Sequence, residues 1–208
     1  MFRAFFLAFL LLCPLTVQAA SGASSSGANH TPTVTFETNM GNIVIELFDD
    51  KAPVTVANFR QYVKESFYDN LIFHRVISGF VIQGGGFESG MTPRVPTHPA
   101  IVNEASNGLD NKRGTLSMAR TYVVNSATSQ FFINLNDNPA LDHQAQAASR
   151  YGYAVFGRVI EGMEVVDEIA AKPTTTVGQY RDVPAKEVVI LKAYENVKVN
   201  VKKSFEGF

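Results

Sequence analysis

The sequence predicts a mainly β protein, a closed antiparallel barrel with two α-helices to cover its open ends. Three observations carry this expectation. Short runs that alternate apolar and polar residues recur along the chain, separated by turns rich in Gly, Asn and Pro. Only two stretches place apolar residues at helical spacing. Phenylalanine is abundant, at 16, and tryptophan is absent. An aromatic-rich chain of short strands fits a barrel better than a parallel α/β sheet or a Leu-rich helical bundle.

The chain has 208 residues, enough for one domain with tails. Residues 1–19 read as a secretory signal peptide. Arg3 supplies a positive start, residues 5–12 form a short apolar run, and Val17-Gln18-Ala19 fits a small-residue cleavage site. The run is short for a membrane span, so no stable membrane insertion is expected after processing. The only cysteine, Cys13, lies in this segment behind Leu12, where a lipid-attachment signal wants a small residue. The mature chain then has neither thiol nor disulfide. Residues 20–32 are small and polar and read as a flexible leader.

Residues 33–194 read as the folded domain. Alternation over 34–38 and 43–48, with a turn at Met40-Gly41, marks a β-hairpin. Pro53 suits the first turn of a helix, and Val56, Phe59, Tyr62 and Val63 recur at helical spacing to about Glu65. Residues 73–87 hold two apolar strands around a Ser78-Gly79 turn. Residues 87–102 and 103–114 read as loops, with Asp110 to Arg113 as a solvated face. Strands are expected over 115–119, 130–135 and 153–160, with one helical turn near Leu141. Met163, Val166, Ile169 and Ala170 mark a second helix, ended by Pro173. Residues 177–186 read as a loop and 188–193 as the last core strand. Residues 195–208 alternate Val with polar residues and read as a C-terminal extension, either prolonging that strand or trailing from it.

Formal net charge is −1, so there is no basic surplus for phosphates and no nucleic-acid partner is expected. The chain lacks a P-loop and a Gly-x-Ser-x-Gly elbow. His74, His98 and His143 lack metal-ligand spacing, so neither a metal nor a cofactor is expected.

Residues 73–87, FHRVISGFVIQGGGF, carry an unusual mixture of groups: the Arg75 guanidinium, the Phe80 ring and the Gln83 amide. A second stretch, Ser129-Gln130-Phe131-Phe132-Ile133, adds another amide and another ring. One reaction needs none of the missing parts. Rotation about an Xaa-Pro bond breaks no bond; its barrier of about 18–20 kcal/mol comes from lost amide resonance. A cation aimed at the prolyl nitrogen stabilises the twisted amide over both planar forms. An apolar slot and amide donors complete the requirement.

At these residues the sequence resembles the cyclophilin family of peptidyl-prolyl isomerases. The likeness runs over about 33–194 and includes Ser117-Met118-Ala119 and the strand from Tyr153. It implies an eight-stranded closed antiparallel barrel capped by two α-helices, and substrates that are proline-containing polypeptides. By position it implies that Arg75 is the catalytic cation, that Phe80, Phe132 and Leu141 wall the proline pocket, and that Gln83 holds substrate backbone. Ala119, Arg120 (through its backbone) and Gln130 line the adjoining groove. Val81 stands where the family often has Met, and Tyr153 where eukaryotic members carry His. Ala140 falls where many of those members have a Trp that contacts cyclosporin, so weak cyclosporin binding is expected. With the signal segment, the likeness is to the bacterial periplasmic branch, and a monomer is expected.

Two other readings compete with the enzyme. The groove could hold proline segments without turnover, as a chaperone or adaptor. The barrel could carry a small apolar ligand inside, which its many large aromatics oppose. His74, beside Arg75, reads as a structural histidine hydrogen-bonded inside, since the reaction transfers no proton.

Overall fold

The first hairpin pairs β1 (Thr33–Thr38) with β2 (Gly41–Leu47), Thr33 opposite Glu46 and Thr38 opposite Gly41. The structure, a computed structural model, describes residues 33–196. The expected signal peptide and leader, and all but the first two residues of the extension, lie outside the described residues. Among these residues no helix is long and apolar enough to cross a membrane.

Alternation buries Val34 and Phe36 on β1 and Ile43, Ile45 and Leu47 on β2. Helix α1 (Pro53–Lys64) starts with proline where an N–H is dispensable. Ala52 offers no side-chain cap. Glu104, far along the chain, supplies it: its carboxylate accepts from the Val54 and Thr55 backbone N–H groups at 3.1 and 2.8 Å and from the Thr55 hydroxyl at 2.6 Å.

Ten more strand segments follow before the last strand. They are β3 (Leu71–Ile72), β4 (Arg75–Ile77), β5 (Val81–Gly84), β6 (Phe87–Glu88), β7 (Thr92–Pro93), β8 (Thr115–Met118), β9 (Phe131–Asn134), β10 (Val155–Glu161), then, after α2 (Met163–Ala170), a hairpin of β11 (Thr174–Val177) and β12 (Tyr180–Pro184). The chain of elements ends with β13 (Val189–Glu195). The principal sheet holds eleven segments in the order β4-β5-β9-β8-β10-β2-β1-β13-β3-β6-β7.

The two ends of that sheet are the same polypeptide. β3 and β4 are halves of one strand broken at Phe73-His74, and β5 and β6 are halves of another broken at Gly85-Gly86. β4 pairs with β5 at one end, while β3 pairs with β13 and β6 at the other. Counted as whole strands there are eight, each with two neighbours, and β7 is a fringe on β6. This is the closed barrel that the sequence predicts.

Aromatic rings fill the barrel. Phe36 stacks on Phe131 at 5.2 Å, and Phe59 of α1 reaches Tyr68 at 5.3 Å and Phe156 at 5.1 Å. Val166 and Ile169 of α2 join the same core. These buried rings occupy the interior that an apolar cargo would need, which argues against the ligand-carrier reading.

Two loop expectations need correction. Residues 174–184 form the β11–β12 hairpin, turning at Gly178 with φ +58°. All four β11 residues are exposed, so no apolar alternation announced a strand. Within 110–113, Asn111 is buried at 1% exposure instead of solvated. Its side-chain amide ties Leu141 to Ser117 of β8, as described below.

Candidate active site

The period of two along each strand sorts core from site. Register partners Val76, Ile82, Ile133 and Leu116 run across β4, β5, β9 and β8, and all four lie in the core. The adjacent row runs Arg75, Gln83, Phe132 and Ser117. Neighbouring residues on a strand face opposite sides, so this row faces away from the barrel interior. Gln83 is thereby the direct cross-strand neighbour of both Arg75 and Phe132, which lie 57 positions apart by number, and all three share one surface.

Loops build a pocket of about 220 Å³ over this row. Its lining is Arg75, Phe80, Val81, Gln83, Ala119, Arg120, Phe132, Leu141 and Tyr153. Every lining residue is a candidate from the sequence. The remaining candidate, Gln130, stands just behind: Gln83 Nε2 donates to Gln130 Oε1 at 2.9 Å. Gly86 makes room for that amide, because a Cβ there would lie 2.5 Å from Gln130 Nε2. Gly85, with φ +84°, lets the chain pass the Ser129 carbonyl at a distance no side chain allows.

Each wall is held from elsewhere in the chain. Asn136 Nδ2 donates to Gly79 O at 2.8 Å and Asn138 Nδ2 to Phe80 O at 3.1 Å, which fixes the turn carrying Phe80. Leu141 closes a short 3-10 turn (Pro139–Leu141), the helical turn expected there. Asn111 Nδ2 donates to Leu141 O at 3.1 Å and accepts through Oδ1 from the Ser117 hydroxyl at 2.7 Å. Asn111, Asn136 and Asn138 carry no motif, and only their burial or contacts reveal them. Tyr153 meets Phe132 edge-on at 5.6 Å. The Arg120 guanidinium covers the Tyr153 ring at 4.9 Å, so its side chain, and not only its backbone, shapes the groove.

The electrostatics are simple. Arg75 is 45% exposed and its Nε lies 3.5 Å from Asp182 of β12, a loose pair that leaves the guanidinium available to the pocket. His74 is buried at 6% exposure, its ring 4.5 Å from Phe87. Burial, and secondly the Arg75 charge, hold its pKa down to about 4. A backbone hydrogen bond to Ile72 opposes this shift only weakly, and Nδ1 has no partner among the described residues. No group of three metal-ligating side chains occurs among the described residues.

Barrel and loops together form a largely apolar pocket bordered by the Arg75 and Arg120 guanidiniums and the Gln83 amide. The family model for cyclophilin type peptidyl-prolyl cis-trans isomerase matches residues 33–195. Escherichia coli peptidyl-prolyl cis-trans isomerase B is 55% identical over 157 residues, 76% of this chain and 95% of that protein. Dickeya dadantii peptidyl-prolyl cis-trans isomerase A is 51% identical over 185 residues, 88% of this chain and 95% of that protein. A Cryptosporidium parvum cyclophilin type isomerase, solved in the presence of the dipeptide Ala-Pro, superposes with a TM-score of 0.67. It is 29% identical, covering 79% of this chain and 99% of that one. The chain belongs to the cyclophilin-type peptidyl-prolyl cis-trans isomerase family, and it is an isomerase.

Proposed function

We propose that this isomerase acts on Xaa-Pro bonds of exported polypeptides in the periplasm, as a monomer, with Arg75 as the catalytic group. The single observation that carries the residue assignment is the Arg75–Gln83–Phe132 row bordering the 220 Å³ pocket. The pyrrolidine ring sits against Phe80, Phe132 and Leu141, with Val81 and Tyr153 completing the apolar wall. Gln83, steadied by Gln130, and the backbone at Ala119 and Arg120 hold the flanking peptide. Rotation then proceeds with the ring fixed and the preceding carbonyl turning. As resonance is lost the prolyl nitrogen becomes pyramidal, and Arg75 donates to its lone pair. No proton is transferred, so buried neutral His74 is not needed as a base. The signal-like residues 1–19 support the location.

A coupled isomerisation assay on a short Xaa-Pro peptide tests the assignment. Arg75→Ala is expected to lose about 100-fold in kcat/KM, the scale of one preorganised donor. Near-wild-type turnover by the variant would refute a catalytic Arg75. Weak cyclosporin binding is also proposed, because Ala140 offers a methyl and no indole N–H. Calorimetry checks it, and a tight complex would contradict it.

A further inference from the structure

A second pocket, of about 610 Å³, adjoins the first and shares two residues with it, Arg120 and Tyr153. The stacked guanidinium and phenol ring therefore form a partition between the two. Thr121, Tyr122, Ala148 and Ser149 line its far side. Resting on the isomerase reading, we infer that this pocket is a subsite for an acidic side chain carried by the same polypeptide, within three residues of the proline.

The charge of the pocket selects the ligand. Arg120 Nε donates to Gly152 O at 3.0 Å, Nη1 to Thr121 O at 3.0 Å and Tyr122 O at 3.4 Å, and Nη2 to Ala148 O at 3.1 Å. These carbonyls fix the guanidinium but do not neutralise it, and one Nη2 N–H is left over. No carboxylate lies within ion-pair distance of Arg120 among the described residues. The nearby Asp142 is engaged, accepting from Asn111 N at 2.6 Å and Nδ2 at 3.0 Å. Arg120 is thus the only charged residue in the lining, in a half-enclosed space with hydroxyls beside it. An extended chain advances about 3.3 Å per residue, so a residue close to the bound proline reaches a pocket that shares its wall.

The experiment uses blocked heptapeptides with a central proline among alanines. One alanine at a time, from three before the proline to three after it, is replaced by Glu or by its uncharged isostere Gln. Exchange is measured by NMR at low salt. At one position at least, Glu should exceed Gln by about two- to fivefold in kcat/KM, the scale of a partly exposed ion pair, and salt should erase the difference. Ser149→Trp should fill the pocket and abolish the ratio while leaving exchange of the all-alanine peptide unchanged. Ser149→Glu should cancel or invert it, and this surface change carries the test if the larger residue disturbs the loop. A Glu/Gln ratio of one at every position overturns the inference. So does a ratio that survives both variants, which would assign it to Arg75. Failure of the isomerase reading itself is distinct: the wild type would then not turn over the all-alanine peptide.

Discussion

The buried histidine beside Arg75 yields a sharp stability prediction. His74 is held at a pKa of about 4 by burial and by Arg75, whereas an unfolded imidazole titrates near 6.5. The native ring therefore stays neutral where the unfolded ring takes a proton. Stability is whole above pH 6.5 and is lost progressively as pH falls from 6.5 toward 4. The two pKa values set the loss at about 3 kcal/mol by pH 4. His74→Gln cannot titrate and removes this component alone. Urea unfolding followed by far-UV circular dichroism suits a chain without tryptophan. The stability of the wild type relative to the variant should fall by about 3 kcal/mol between pH 7 and pH 4. A difference that does not change with pH would refute the reasoning, as would a native His74 resonance titrating near 6.5. The catalytic counterpart is that kcat/KM shows no ionisation step from His74 between pH 5.5 and 8.

Two further predictions concern contacts between distant segments. Glu104→Ala removes the carboxylate that caps the first turn of α1 and should cost about 1–2 kcal/mol of unfolding free energy, read by denaturant titration. An unchanged midpoint would mean that water replaces the cap. Gly86→Ala places a Cβ against the Gln130 amide and should break its bond to Gln83. A raised KM with a nearly unchanged melting temperature is expected, since the displaced side chain can swing clear. A large fall in melting temperature with KM intact would show that the glycine serves packing alone.

Much of the fold was legible because its signals are local. Apolar alternation marked the β1–β2 hairpin, and helical spacing with Pro53 marked α1. The site row was legible for a related reason. Residues 73–87 and 129–133 carry the motifs that resemble the cyclophilin family, and that resemblance implied Arg75, Gln83 and Phe132 before their strands were paired. The β11–β12 hairpin was not legible, because a strand exposed along its length leaves no periodic trace.

What the sequence by itself determined is the class of fold and the chemistry of residues 73–87. The tertiary structure alone decided how that stretch becomes a site. The chain breaks at His74 and again at Gly85-Gly86, and those breaks let two strands close the barrel while leaving Arg75 on its outer surface. Asn111 reaches Leu141, Asp182 reaches Arg75, and Arg120 reaches the 148–153 loop. The physical reason is the same for each. A polar side chain can be satisfied by any carbonyl or charge that folding brings near, and only the closed barrel selects which one arrives.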